Sequence, residues 1–468
     1  MPFHSHFFIF MFFPIVLSLF FLTGKFFGAA AAKVWVLLGS LFFYAYFKPI
    51  YLILIITSIL INLWLSQIII SLRDEKKMTS SKNVMWLAIF LNLAYLGFYK
   101  YFDFTIEATN YIFGSNLALL NFALPLGISF YTLQQIGFIV DSYQGVVKKG
   151  NYLNYGVFVS FFPQLIAGPI VHHKDIIKQL SDENFTKINM TNIKKGFFYF
   201  SVGLFKKVIL ADTLGIYADK GFESIETLTF AQSWFSSFSY MFQLYFDFSG
   251  YTDMAFGLAF CFNITLLRNF DSPYKALNII DFWKRWHISL TNFIGSYIYT
   301  PLLRSFKKIT FGKMLFGTFV TMQIAGIWHG AAFKFIVFGC SHSTLLVINH
   351  YFKSKKRKMN KYVSWFFTLV FVNITFVLFR ANTTLDAFAF LRQMFSFDGI
   401  AWSDWINVTY ILISLVITTQ FKNIHELEKE NKEYPVMVNL ALFVISIVHL
   451  TNLYLNDLNT DKFIYFDF

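Results

Sequence analysis

Charged side chains are scarce in this chain. Of its 468 residues only 14% are Asp, Glu, Lys or Arg, while 56% are hydrophobic and 64 are phenylalanine. A typical soluble domain is about 25% charged, and the mean hydropathy of +0.54 exceeds what a water-soluble core needs. The composition therefore excludes an ordinary soluble protein and predicts a polytopic membrane protein.

Cysteine is almost absent. The chain has 2 cysteines, and both Cys261 and Cys340 lie in apolar segments. Neither a disulfide framework nor a zinc motif fits that number and spacing. We predict no structural disulfide and no metal site.

Acidic residues are outnumbered by basic ones, 26 against 39, which gives a formal charge of +13. Such an excess can indicate nucleic-acid binding, but here Lys and Arg collect in short loops between apolar runs. That distribution is typical of the cytoplasmic loops of a membrane protein. We therefore expect membrane lipid around the chain and no nucleic-acid partner.

The N-terminal apolar run, Phe7 to Leu22, lacks the basic region that precedes a signal peptide's core. We expect a first membrane span whose N-terminus lies outside. Lys25 and Lys33 predict a cytoplasmic turn after it, and Ile50 to Ser71 predicts a later span that ends at a charged inside loop.

Basic loops also set the predicted topology of the C-terminal third. The cluster at 353–358 and the charged stretch at 422–433 are predicted to lie inside. Val436 to Leu455 is then the last span and carries the C-terminus outside.

Polar and helix-breaking residues interrupt the apolar background in several places. Residues 128–135 mix hydroxyls and amides, which fits either interhelical hydrogen bonds or a helix that faces a polar cavity. Residues 161–170 carry two prolines and a glycine and predict a re-entrant or interfacial segment shielded by protein. His172 and His173 follow, and we expect this pair to be solvated.

His329 stands between Gly326 and Gly330 in an apolar run that starts at Lys313 and reaches the 353–358 cluster. If both basic ends stay inside, the segment must enter the membrane and return. His329 then lies roughly 24 Å in, at about 1.5 Å per residue. A buried ionisable group at that depth suggests function. The alternative is a neutral histidine at the end of a broken helix, with glycines that only permit close packing.

The region from Arg268 to Pro301 is the least hydrophobic part of the core. Trp283 and Trp286 flank Lys284 and Arg285, a composition typical of an interfacial helix. His287 follows directly, a second histidine at membrane level. Just upstream, Asp247 and Asp253 are six residues apart and do not share a helical face, so a paired-carboxylate mechanism is not supported.

Six blocks of sequence together resemble the membrane-bound O-acyltransferases (MBOAT). The likeness runs from about Leu124 to the C-terminus and is greatest for the bacterial branch that acetylates alginate and peptidoglycan. The blocks are PLGISFYT (125–132), FFPQLIAGPI (161–170), YFDFSGYTDMA (245–255), NFDSPY (269–274), DFWKRWHISL (281–290) and WHGA (328–331).

The resemblance implies that His329 is the catalytic histidine and His287 its second histidine, both lining a central tunnel. It also implies acetyl-CoA as cytoplasmic acyl donor, an envelope polysaccharide as final acceptor, and an extracytoplasmic O-acetyltransferase of SGNH-hydrolase type as partner. Lys284 and Arg285 are candidates for binding the CoA phosphates, and a plain positive-inside role explains them equally well.

The chain ends in Phe463-Ile464-Tyr465-Phe466-Asp467-Phe468, which resembles the acyl-carrying ending of the same branch. Tyr465 is therefore our candidate acceptor of the acetyl group. The alternative is an aromatic anchor at the membrane surface.

The predicted protein is an all-α polytopic O-acetyltransferase with about eleven to thirteen transmembrane or re-entrant helical segments around the tunnel. We expect N-terminal helices (1–123), a catalytic core (124–350), and C-terminal helices with an acyl-accepting tail (351–468). D-alanyl transfer to teichoic acid and a non-catalytic transporter are the alternatives. A transporter would consume no acetyl-CoA.

Overall fold

The computed structural model of the chain describes residues 1–150, 152–357, 359–399, 404–430, 436–456 and 464. These residues fall into two compact units. The first unit comprises 1–201 and 251–267, and the second comprises 202–250 and 268–468.

Helices account for the regular structure, and no β-strand occurs in the described ranges. In chain order the α-helices are α1 Phe13–Ala45, α2 Ile50–Asp74, α3 Met78–Phe113, α4 Ile128–Gln144, α5 Tyr152–Ser160, α6 Phe162–Leu165, α7 His173–Leu180, α8 Met190–Phe205, α9 Asp212–Glu223, α10 Phe230–Cys261, α11 Ile279–Arg285, α12 Ile288–Ile294, α13 Thr300–Arg304, α14 Phe311–His329, α15 Phe333–Ser354, α16 Lys361–Arg380, α17 Thr384–Met394, α18 Trp405–Gln420, α19 Ile424–Lys429 and α20 Val436–Leu455.

Within the part of the chain that the structure describes, 6 helical stretches are long and apolar enough to cross a membrane. The all-α, multi-pass prediction is confirmed. The stretches are Phe8–Ala45, Ile50–Asp74, Met78–Phe113, Phe333–Ser354, Lys361–Arg380 and Val436–Leu455.

Helix α1 is in fact a helical hairpin. The indole nitrogen of Trp35 donates a hydrogen bond to the carbonyl of Val16, 3.0 Å away, although 19 residues of straight helix would separate them by about 28 Å. The chain reverses at Gly28, whose φ of 84° lies outside the helical region. This confirms the predicted turn between Lys25 and Lys33.

The polar residues of α4 make hydrogen bonds between helices of the first unit. Gln135 donates to Ser58 Oγ at 2.9 Å and accepts from the Tyr155 hydroxyl at 3.0 Å. Of the two explanations given for residues 128–135, interhelical bonding is therefore the one observed for Gln135.

Residues 161–170 are all buried, and only Phe162–Leu165 are helical. A Cβ atom on Gly168 would overlap the Gln164 backbone, so the glycine permits a tight turn. The predicted shielding by protein is observed, and the re-entrant or interfacial position of the segment stays a prediction. His173 corrects the expectation that both histidines are solvated. Its side chain is buried, and its ring centroid lies 4.7 Å from that of Phe138 and 5.4 Å from that of Phe158. Only His172 is partly exposed.

In the second unit, side-chain hydrogen bonds join distant parts of the sequence. The Trp365 indole donates to the Tyr274 carbonyl at 2.8 Å, and Ser239 donates to Asn407 at 2.7 Å. Helix α20 packs against the π-helical stretch Lys206–Ala211. These contacts hold the helices around the residues described next.

Candidate active site

His329 is the last residue of α14, at the closed end of a hairpin that α14 forms with α15. Thr310 caps the start of α14 by accepting from the Lys313 N–H. The two helices approach closely because Gly326 lacks a side chain. A Cβ atom there would lie 2.6 Å from the Phe335 carbonyl oxygen. The predicted entering and returning segment is therefore a helical hairpin in the structure.

The position of His329 is fixed by aromatic rings. It is 3% exposed, and its ring centroid lies 5.0 Å from that of Phe379 and 6.2 Å from that of Phe338. Lys334 holds the Phe379 end of α16 in place, since its ammonium group donates to the carbonyls of Phe379 and Ala381. The glycines do permit close packing, as the alternative interpretation held, and the hairpin also buries the histidine.

His287 lies between α11 and α12 in the left-handed region, with φ 44° and ψ 53°, and it is completely buried. Its Nδ1 lies 3.1 Å from Asn269 Oδ1. The same oxygen accepts from the Ser289 backbone N–H at 3.2 Å and from the Ser289 hydroxyl at 2.8 Å. The Asn269 backbone carbonyl accepts from the Ile288 N–H at 2.9 Å.

These contacts fix the tautomer of His287. A backbone N–H can only donate, so the Asn269 atom that Ser289 contacts must be the oxygen. His287 Nδ1 must then carry the proton that it donates to Asn269, and neutral His287 keeps its lone pair on Nε2. His287 lies outside the candidate spans, and burial lowers its pKa from 6.5 to about 3. It therefore stays neutral at physiological pH.

The two predicted histidines flank one tryptophan. The Trp328 ring centroid lies 5.0 Å from that of His329 and 6.2 Å from that of His287. On its other side His287 packs edge-on against Phe248, 4.9 Å away. The structure therefore brings His329 and His287 into one aromatic cluster.

A third histidine, His342, is completely buried nearby on α15. Its Nδ1 accepts from the Trp283 indole at 3.3 Å, so its Nε2 carries the proton and donates to Thr375 Oγ1 at 3.0 Å. Its ring packs on Phe338 at 4.4 Å, and Phe338 also touches His329. Sequence reasoning missed His342, because it lies outside the six sequence blocks. Its position as an ionisable residue in an apolar helix was the signal that could have revealed it.

Trp283 and Trp286 correct the prediction of an interfacial helix. Both are buried in protein, where Trp286 packs between Phe270 at 5.1 Å and Phe376 at 5.2 Å. Aromatic side chains that anchor a helix in headgroups would face lipid instead. The two tryptophans that precede His287 in the sequence therefore pack in the protein core.

With this geometry in place, comparison with known proteins decides the family. A sequence profile described as MBOAT, membrane-bound O-acyltransferase family, matches residues 41–384. The chain belongs to the membrane-bound O-acyltransferase family. It is therefore an acyltransferase and a multi-pass membrane protein.

The MBOAT relatives include proteins named for envelope polysaccharides. A peptidoglycan O-acetyltransferase from Helicobacter pylori is 39% identical over 433 residues, which cover 85% of this chain and 80% of that protein. A probable alginate O-acetylase from Pseudomonas putida is 34% identical over 412 residues, 86% of this chain and 81% of the relative. A teichoic acid D-alanyltransferase from Bacillus subtilis is 29% identical over 250 residues, 51% and 61% of the two chains.

Lys284 and Arg285, the predicted phosphate ligands of this MBOAT protein, differ in their surroundings. Lys284 is exposed and lies, with Lys353, within electrostatic range of His350. Arg285 is engaged by Asp281 at 3.0 Å and by the Asp271 carbonyl at 3.1 Å. Lys284 is therefore the more available cation, beside the basic end of α15.

Tyr465 lies outside the described residues, but its neighbour Ile464 does not. The Ile464 backbone N–H donates to Asp247 Oδ2 at 3.0 Å, and Asp247 is 1% exposed. Asp247 and Asp253 are both buried, and a carboxylate removed from water requires hydrogen-bonding or charged partners. No cluster of three or more His, Cys, Asp or Glu that could hold a metal ion occurs among residues with described positions.

Proposed function

We propose that this acyltransferase takes acetyl from cytoplasmic acetyl-CoA and passes it across the bacterial inner membrane for O-acetylation of an envelope polysaccharide. The peptidoglycan and alginate relatives, at 39% and 34% identity over most of the chain, support that acceptor class. The polysaccharide is then modified by an extracytoplasmic partner of SGNH-hydrolase type. The D-alanyl alternative rests on a relative that matches only 51% of this chain.

The observation that carries the chemistry is the pair of buried histidines around Trp328. A hydroxyl with a pKa near 10 is a poor nucleophile while protonated, so a neutral base must lie beside it. Burial keeps an imidazole neutral and ready to accept a proton. His329 has this environment at the tip of its hairpin.

In the proposed step, His329 removes the proton from the Tyr465 hydroxyl. The phenolate oxygen attacks the thioester carbonyl carbon, the new C–O bond forms, and the C–S bond breaks. The CoA thiolate leaves and takes the proton back from His329. The tyrosine ester remains activated enough to transfer acetyl onward, and an acyl-histidine intermediate is the alternative route.

The tautomer of His287 decides between two roles for this residue in that step, orienting the reacting groups and polarising the thioester carbonyl. Its Nδ1–H is committed to Asn269, so the neutral ring offers only a lone pair at Nε2. Polarising the thioester carbonyl would require an N–H there. We therefore propose that His287 accepts a hydrogen bond at Nε2 and orients the reacting groups.

Purified protein supplied with acetyl-CoA tests this function. We expect release of free CoA thiol, and His329→Ala should reduce it by about 10²–10⁴-fold, the usual loss for a general base, while the variant remains monodisperse. Retention of more than about a tenth of the turnover would exclude His329 as the base. A transporter would release no thiol even in the wild type.

A further inference from the structure

A buried ion cluster connects three residues of the second unit. Lys207, 3% exposed, pairs with Asp212 at 2.7 Å and with Asp247 at 2.9 Å. Lys207 lies on the Lys206–Ala211 stretch and Asp247 on α10. One lysine thus forms ion pairs with two carboxylates. The two carboxylates together carry more negative charge than the single ammonium group neutralises.

Burying a carboxylate is costly unless the lone pairs that the lysine does not contact accept hydrogen bonds from other donors. Asp212 retains some access to solvent, with 24% of its side chain exposed, whereas the Asp247 side chain is 2% exposed. Lys207 contacts Asp247 Oδ1. The other oxygen, Oδ2, receives the Ile464 N–H, so the C-terminal tail itself supplies a donor.

The path of the chain agrees with this contact. Helix α20 ends at Leu455 after packing against Lys206–Ala211. From Leu455 to Ile464 there are nine residue steps, which can span at most about 32 Å. The tail therefore has enough length to leave α20 and return to α10.

The contact point lies beside the cluster of rings that contains His287, Trp328 and His329, which we call the histidine cluster. Phe248, the residue after Asp247, packs its ring against His287 at 4.9 Å. Tyr465 is the residue after Ile464. A tail held at Asp247 is thus anchored one residue from the candidate acceptor, on the helix turn that touches the site.

We propose that Asp247, held by Lys207, is the docking site of the C-terminal tail, which it binds through the Ile464 backbone N–H. The role given to the docked tail, presentation of Tyr465 to the histidines, rests on the proposed function. The docking itself does not depend on Tyr465. Because Asp247 recognises a backbone N–H, this contact does not select the Ile464 side chain.

Trypsin provides a direct test, because Lys462 lies two residues before Ile464. Cleavage after Lys462 releases residues 463–468, and mass spectrometry measures the rate of release from full-length protein. A docked tail resists cleavage, since proteases act on opened segments. Asp247→Leu removes the acceptor and should speed release by about tenfold or more, as expected for a hydrogen bond to a charged group.

Matched variants separate docking from a scaffold role. Asp212→Asn also weakens the Lys207 cluster but does not touch Ile464, so release should stay at the wild-type rate. Asp247→Asn keeps an acceptor oxygen and should protect the tail partly. If Asp247→Leu does not fold, Lys207→Met combined with Asp247→Leu replaces the ion pair by an apolar pair, which buried sites often tolerate, and should release the tail as fast.

Equal release from wild type and the Asp247→Leu variants would overturn the docking site, as would equal acceleration by Asp212→Asn. Tyr465→Phe protein should show wild-type protection. Protection that depends on Asp247 without any acetylation of Tyr465 would leave docking intact and remove the proposed acyl step. Acetylated Tyr465, together with protection that does not depend on Asp247, would support the proposed acyl step and exclude Asp247 as the docking site.

Discussion

Asn269 sets the chemistry of His287 through a single oxygen atom. That oxygen accepts from Ser289 twice and from His287 Nδ1, so it holds both the turn and the tautomer. A residue that acts through His287 in this way is a positioning residue. Its effect should be visible in the state of the imidazole itself.

We predict that Asn269→Leu, which removes the shared acceptor, allows the His287 ring to change tautomer and lowers CoA release by at least about tenfold, the cost of one lost buried hydrogen bond. Nitrogen chemical shifts of labelled histidine report the tautomer. Asn269→Asp keeps the acceptor and should keep Nδ1 protonated. An unchanged His287 spectrum in Asn269→Leu would contradict the assignment.

Single residues differ in how far sequence alone reveals them. His329 and His287 stand out because an ionisable side chain in an apolar background needs a reason, and the structure places both in one cluster. Asn269 carries no such signal, since it is not ionisable and its partner His287 lies 18 residues away. His342 does carry it, but it lies outside the six sequence blocks and its partner Trp283 is 59 residues away. Trp283 and Trp286 were misassigned because core and interfacial tryptophans look alike in composition. The catalytic roles themselves stay predictions.

Among the helix pairs, the α14–α15 hairpin positions His329. The close approach of the two helices depends on Gly326. A Cβ atom at this position would lie 2.6 Å from the Phe335 carbonyl oxygen and 3.0 Å from Gly339 Cα. Backbone atoms cannot move aside as a flexible side chain can. An added methyl group must therefore push the helices apart.

We predict that Gly326→Ala destabilises the protein by about 1–3 kcal/mol, as overpacking usually does, and also lowers turnover because His329 shifts. The control is Gly312→Ala on the same helix, where a Cβ meets nothing within 4 Å. Alanine favours helix, so the control should be neutral or slightly more stable. Thermal unfolding in detergent measures both, and equal midpoints for the two variants would refute the packing argument.

Basic residues made some helical turns predictable from sequence. Lys25 and Lys33 mark the turn inside α1, and the basic ends around α14 and α15 predict a segment that returns if both ends lie inside. Without these two lysines, the apolar residues of α1 would not distinguish a hairpin from one long helix. The Trp35 to Val16 hydrogen bond decides in favour of the hairpin.

At the scale of the whole molecule, composition already determined the class, and the family profile over residues 41–384 confirms it. Which loops face the cytoplasm stays a prediction from charge. The tunnel and the division into three parts are likewise predictions. A helix end looks the same on both sides of a membrane, and only the distribution of Lys and Arg distinguishes them.

We predict that the 353–358 loop lies inside and the C-terminal tail outside. Single cysteines at 356 and 460, introduced after Cys261 and Cys340 are replaced by alanine, should react with an impermeant reagent from opposite faces of the membrane. Labelling from the same face would invalidate the topology and, with it, the route of acetyl across the membrane.

The central claim is that acetyl passes from acetyl-CoA to the chain's own C-terminal tail at the histidine cluster. Mass spectrometry of the C-terminal peptide, after purified protein is incubated with isotope-labelled acetyl-CoA, tests it most directly. We predict one labelled acetyl group on Tyr465, none in Tyr465→Phe, and at least about a hundredfold slower labelling in His329→Ala, as loss of a general base implies. An unlabelled tail in wild-type protein that still acetylates its glycan would contradict this account.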